Sequence, residues 1–195
     1  MGRDFYDRFT VSREMFLRAD EALGFPLSRL IFEGPEEKLT KTEFAQPAIL
    51  TVSIAAFEAL RTKCNDLQPS FVAGHSLGEY TALVAAGALK LEDGVKLVNI
   101  RGKLMQQAVP LGVGAMAAII GLDKETVEAL CRLVSGNDCL CEPANYNSPQ
   151  QIVVSGHLKA VERVIELAKE RGAKRAVMLK VSAPFHSSLM RPVAE

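Results

Sequence analysis

Neither sign of charge is in excess in this chain: 23 lysines and arginines balance 23 aspartates and glutamates over 195 residues. Nothing in that balance suits nucleic acid or an anionic membrane surface as a partner. No apolar run approaches membrane-spanning length, and the start, Met1-Gly2-Arg3-Asp4-Phe5, is too charged for a signal peptide. The four cysteines (Cys64, Cys131, Cys139 and Cys141) lack a metal-binding spacing, since Cys139 and Cys141 stand one residue apart. That spacing fits neither the common zinc sites nor an easy disulfide, so free thiols in a reducing cytoplasm are expected. Histidine is scarce, with three in all. What is present, 48% apolar and 24% charged residues, suits one soluble globular domain or one domain with a subdomain.

Against that plain background one segment stands out, Gly74-His75-Ser76-Leu77-Gly78-Glu79-Tyr80. Phe71-Val72-Ala73 before it reads as a short buried strand. Leu77, Tyr80, Leu83 and Val84 after it have helical spacing over 77–88. Strand, sharp turn with a glycine on each side, then helix is the setting of a nucleophile elbow. Such a turn presents the serine hydroxyl beside the positive end of the following helix. The N–H of Leu77 is placed there to stabilise a tetrahedral oxyanion. The same pentapeptide also occurs in loops without catalytic role, and it is the flanks that favour chemistry here.

The rest of the chain divides in two. Apolar residues at Met15, Phe16, Ala19 and Leu23 predict a helix over 11–23 closed by Gly24. Pro47 is placed for the first turn of a helix over 48–61 that is apolar on nearly every side and therefore packs inside the domain. A further helix covers about 92–107, and Pro110, Gly112 and Gly114 mark a break. Beyond it the pattern reads strand (115–120), helix capped by Asp123, strands near 140–145 and at 151–155, helix (158–171) and strand (176–181). That order is the split βαβ, or ferredoxin-like, arrangement.

A serine nucleophile needs a base. His75 adjoins Ser76 and leaves the turn in another direction, and His157 reads as a surface or helix-capping residue. His186, in Ser182-Ala183-Pro184-Phe185-His186-Ser187-Ser188 just after the last expected strand, is the best candidate, with a structural role as the alternative. Arg101 shares a helix face with Val98 and Met105. An arginine amid apolar neighbours is costly unless its guanidinium meets an anion, which is either a local Asp or Glu or the carboxylate of a substrate held by both prongs of the fork. The sequence leaves these two open.

Four spaced segments together resemble the malonyl-CoA:acyl-carrier-protein transacylases: Gln46-Pro47-Ala48-Ile49, the Ser76 segment, Arg101-Gly102-Lys103-Leu104-Met105 and Pro184-Phe185-His186-Ser187-Ser188-Leu189-Met190. Asn147-Ser148-Pro149 and Val153-Val154-Ser155-Gly156 extend the likeness over essentially the whole chain. The resemblance implies Ser76 as nucleophile, His186 as base oriented by a backbone carbonyl, Leu77 as oxyanion donor and Arg101 as holder of the malonyl carboxylate. Met105 and Phe185 would shape the acyl pocket, the phenylalanine being similar to that of members preferring malonyl over methylmalonyl. It implies malonyl-CoA and the phosphopantetheine thiol of acyl carrier protein as substrates, no metal or redox cofactor, no nucleic acid or membrane, and a monomer if free-standing. The implied fold is α/β: an incomplete α/β-hydrolase-like parallel-sheet core over 1–112 and 182–195, with an inserted ferredoxin-like α+β subdomain over 113–181. The family's glutamine-bearing oxyanion loop and its strand beyond the histidine have no counterpart in these residues, so the chain is expected to be an internal fragment. The other readings are a serine hydrolase or thioesterase, which would share the elbow but has no need of an arginine on the pocket helix, and a non-catalytic piece that folds with or docks on complementary segments.

Overall fold

A computed structural model describes residues 1–64, 66–110, 112–181 and 183–194. Two units, Met1–Lys103 and Leu104–Glu195, divide the chain. The first is built from helices α1 (Arg3–Arg8), α2 (Thr10–Leu23), α3 (Leu27–Glu33), α4 (Glu36–Leu39), α5 (Thr42–Lys63), α6 (Gly78–Ala85) and the greater part of α7 (Leu91–Ala108). α2 ends on Gly24 at φ 70°, the left-handed cap its sequence announced. Phe16, fully buried, meets Tyr6 edge-on at 5.5 Å and leans on Phe32 at 5.2 Å. Burying a side chain of that size contributes about 2–3 kcal/mol. The Ser12 hydroxyl donates to the Ala55 carbonyl at 2.7 Å, tying α2 to α5 inside this core.

Two expectations for this unit are corrected. Phe71-Val72-Ala73 is not a strand: its backbone pairs with no other segment among the described residues, and Phe71 is 94% exposed. A strand needs a ladder partner, and in this unit every described element is helical. The parallel-sheet core is accordingly absent from the described residues, which form a mixed α/β structure with a single antiparallel sheet in the second unit.

The second correction concerns Pro47, which sits inside α5 rather than at its start. A proline within a helix cannot donate to the carbonyl four residues earlier, here that of Glu43. The side-chain amide of Asn99 on α7 donates to that carbonyl instead, at 2.7 Å. The freed acceptor is thus satisfied from another helix, and α5 runs unbroken for 22 residues. Its length and composition would now suit a membrane span, contrary to the sequence reading, although 44% of its apolar window is buried within the structure. It is also less enclosed than expected, since Ile49 and Leu60 are about half exposed. α7 crosses α5 at close range at Gly102, where a Cβ would lie 2.6 Å from the Cα of Glu43.

The second unit follows the expected order. β1 (Gly114–Ile120), α8 (Lys124–Val134), β2 (Cys141–Ser148), β3 (Gln151–His157), α9 (Leu158–Glu170) and β4 (Arg175–Met178) precede a 3-10 turn at Ser188–Met190 and α10 (Arg191–Ala194). The sheet order is β2-β3-β1-β4 with every pairing antiparallel. Asp123 caps α8 by accepting from the Thr126 N–H at 2.8 Å. Side chains alternate along each strand. Ala117 and Ile119 of β1 and Ile152 and Val154 of β3 therefore join the core with Val127, Leu130, Val161 and Val164 of α8 and α9. Met116, Ala118 and Val153 face the other way, onto Val177, Leu179 and Phe185.

Ser155 falls on this second face, two residues from Val153 and paired in register with Met116. It is fully buried, and its hydroxyl alone among the described buried side-chain polar atoms has no hydrogen-bond partner. Leaving a buried hydroxyl unsatisfied costs about 1–3 kcal/mol. Ser155→Ala is therefore expected to raise the thermal unfolding midpoint, or at least to leave it in place. A lowered midpoint would mean that the hydroxyl is bonded to internal water.

The cysteines are all free thiols, with Cys131 and Cys141 buried in the helix-side core. A hydrogen bond with Cys131, then burial, pushes the Cys141 thiol above its ordinary range and keeps it protonated, the opposite of what a thiolate nucleophile needs.

Candidate functional site

Ser76 occupies the turn into α6 with φ 54°, one of two non-glycine residues in left-handed conformation among those described. The other is His186, at φ 60°. A serine there costs roughly 1–2 kcal/mol in backbone strain, and strain of this kind clusters at functional turns. The turn closes with the Gly78 N–H donating to the His75 carbonyl at 2.9 Å and the Glu79 N–H to the Ser76 carbonyl at 3.2 Å. The two flanking glycines are not equivalent. A Cβ on Gly74 would lie 1.9 Å from the backbone of Gly78, so the turn excludes any larger residue; a Cβ on Gly78 would meet open space. His75 is exposed, and Leu77 is buried in the helical core.

Arg101 reaches this turn from α7. Its Nη2 donates to Ser76 Oγ at 3.2 Å and its Nη1 to Gln46 Oε1 at 2.6 Å. Gln46 is itself held by its amide, which donates to Thr42 Oγ1 at 2.7 Å. The Tyr80 ring lies beneath the guanidinium, 5.8 Å from centroid to Cζ. No aspartate or glutamate pairs with Arg101 among the described residues. Of the two anions left open by the sequence, the local carboxylate is therefore not found. A half-buried cation among neutral partners has the chemistry to receive an anion from outside.

The second unit brings Met105 and Phe185 together. Met105 is buried with Val109, Ala183 and Met190, and Phe185 packs against the same cluster while also touching the outer face of the sheet. His186 is exposed on the turn that follows, between Phe185, whose N–H donates to the Ala183 carbonyl at 3.0 Å, and Ser187, whose hydroxyl donates to the Pro184 carbonyl at 2.8 Å. The Ser188 N–H donates to Glu142 Oε2 at 2.6 Å, anchoring the turn to β2. Ser182, the first residue of that motif, lies outside the described residues. His157 stands at the N-cap position of α9, as the sequence suggested, but its side chain makes no cap bond to that helix; its Nδ1 accepts instead from the Leu140 N–H at 3.0 Å. No cluster of three or more His, Cys, Asp or Glu able to hold a metal ion occurs among the described residues.

Gln46 and Tyr80 beside Arg101, and Thr42 behind Gln46, were not assigned roles from the sequence. The one local signal was a pair of polar residues, Thr42 and Gln46, a helical turn apart ahead of an apolar helix.

Comparison with known proteins bears on this site. Residues 1–195 match the acyl transferase domain family. The malonyl CoA-acyl carrier protein transacylase of Bacillus subtilis is 53% identical over 195 residues, which are 100% of this chain and 61% of that protein. A solved malonyl CoA-acyl carrier protein transacylase from Coxiella burnetii is similar with a TM-score of 0.95 and 45% identity, covering 100% of this chain and 61% of that one. A complex of a type II PKS acyl-carrier protein with its malonyl-transacylase is similar at a TM-score of 0.94 and 45% identity, covering 100% of this chain and 62% of that one. The chain thus spans about three fifths of the length of these relatives.

Proposed function

Because the chain belongs to the acyl transferase domain family, we propose that it carries the acyl-accepting chemistry of a malonyl-CoA:acyl-carrier-protein transacylase. The observation that carries this reading is the Arg101 guanidinium, half-buried, neutral-partnered and 3.2 Å from Ser76 Oγ. A cation so close to a strained serine suits transfer of an acyl group that bears its own carboxylate.

In this reading Ser76 Oγ attacks the thioester carbonyl of malonyl-CoA while His186 takes its proton. The N–H of Leu77 stabilises the oxyanion, and CoA leaves with the proton from His186. The phosphopantetheine thiol of acyl carrier protein then attacks the malonyl-serine ester, and His186 manages the proton again. Arg101 holds the malonyl carboxylate through both steps, and Met105 and Phe185 bound the acyl group. The chemistry calls on no metal or redox group. We also read 113–181 as a ferredoxin-like subdomain, on the strength of its antiparallel order β2-β3-β1-β4. Residues 1–112 with 182–195 are read as part of an α/β-hydrolase-like core, a reading supported by the left-handed serine between an extended segment and a helix.

Incubation of the folded chain with malonyl-CoA is expected to add one malonyl group, read by intact mass, and acetyl-CoA is expected to add far less. Release of free malonate with no adduct in the absence of carrier protein would turn the assignment toward a hydrolase. No reaction at all would leave a non-catalytic piece.

A further inference from the structure

We propose that Arg101 holds Ser76 in the unacylated protein and lets go only when a carboxylate takes the guanidinium, so that a carboxylated acyl group frees the nucleophile that it will acylate. The inference rests on the reading of Ser76 as acyl acceptor.

The two ends of the guanidinium fork are held unequally. Nη1 is fixed at 2.6 Å by Gln46, whose amide is braced on Thr42, whereas Nη2 reaches Ser76 Oγ at 3.2 Å. The Gln46 side acts as a pivot and the Ser76 side as the weaker, exchangeable contact. Both partners are neutral, and a carboxylate forms charge-assisted bonds roughly twice as strong as theirs. An incoming carboxylate therefore displaces the hydroxyl.

The two contacts also compete for the same donor. An Nη2 N–H turned to a carboxylate oxygen no longer points at Ser76 Oγ. Before exchange, Nη2 occupies space beside Oγ into which the thioester carbon must come, to about 3–3.5 Å. After exchange the Oγ–C bond forms, the C–S bond breaks, and the Oγ proton passes through the base to the departing sulfur. An uncharged acyl group has nothing to offer Nη2 and meets a nucleophile still engaged. Selectivity then arises in the acylation rate as well as in binding.

Phenylmethylsulfonyl fluoride tests this without CoA or carrier protein. It is uncharged and labels an active serine by forming an O–S bond as fluoride leaves and the hydroxyl proton passes to solvent. The labelling rate of the 195-residue chain is read by intact mass, with the site confirmed by peptide mass. Sodium formate, small enough to satisfy Arg101 without filling an acyl site, is compared with sodium chloride at equal ionic strength. Formate is expected to accelerate labelling of Ser76 by about tenfold, the factor for releasing one hydrogen bond of typical strength. Arg101→Gln, checked for folding by thermal melt, is expected to label faster than the parent chain and to ignore formate. A formate effect that is absent or protective overturns the proposal, and the wild-type comparison decides this whatever the variant does. An Arg101→Gln variant that is folded yet labels no faster overturns it as well. Absence of any label on Ser76 in every arm would instead remove the nucleophile assignment itself.

Discussion

Replacing Ser76 with alanine is expected to erase the malonyl adduct and to reduce acyl transfer by about six orders of magnitude, the scale on which serine enzymes lose rate when the nucleophile is removed. The change deletes Oγ and little else. Residue 76 sits at φ 54° in the parent chain, and the strain of that conformation, about 1–2 kcal/mol, is nearly the same for alanine as for serine. The turn is held by backbone bonds, from the Gly78 N–H to the His75 carbonyl and from the Glu79 N–H to the Ser76 carbonyl, which survive the substitution. The close approach of Gly74 to Gly78 is likewise untouched. The thermal midpoint should therefore stay within a few degrees of the parent while the adduct disappears from the intact mass. An adduct that persists at the parent level, mapped to another residue, would sink the assignment.

The contrast between the two units explains what the sequence could and could not disclose. In 113–181 each strand finds its partner within the segment, and the two helices have one apolar face each, so alternation and periodicity locate every element. Phe71-Val72-Ala73 carries the same apolar signal, but strand formation depends on a partner, and among the described residues none lies beside it. Pro47 misled for a related reason. The local rule that proline opens a helix holds only while nothing repairs the lost hydrogen bond, and the repair comes from Asn99, 56 residues from Glu43. The positions of Ser76 and Arg101 stood out because a serine between two glycines and an arginine on an apolar helix face are unusual in any sequence. Gln46 did not. Its part is to fix the Nη1 end of a side chain 55 residues away, and its spacing from Thr42 marks a polar pair on one helix face without pointing to that partner.

The Arg101→Ala variant is expected to lose malonyl transfer by about 10²–10³-fold, the loss typical when charge-assisted bonds to a carboxylate are removed. Transfer of an uncharged acyl group should not fall with it. The asymmetry follows from the surroundings of the guanidinium. With Gln46, Ser76 and Tyr80 as its neutral neighbours, Arg101 completes no ion pair among the described residues whose breakage would damage the fold. Gln46 keeps its bond to Thr42 when the arginine is gone, and α7 stays docked on α5 through Asn99 and the close crossing at Gly102. The loss is thus confined to substrates that bring a carboxylate. Arg101→Lys retains the charge but not the planar fork, and should recover only part of the malonyl preference. The check is the ratio of kcat/KM for malonyl-CoA to that for acetyl-CoA across the three proteins. A ratio that stays constant while both activities fall together would make Arg101 a packing residue and remove the argument that ties this serine to carboxylated acyl groups.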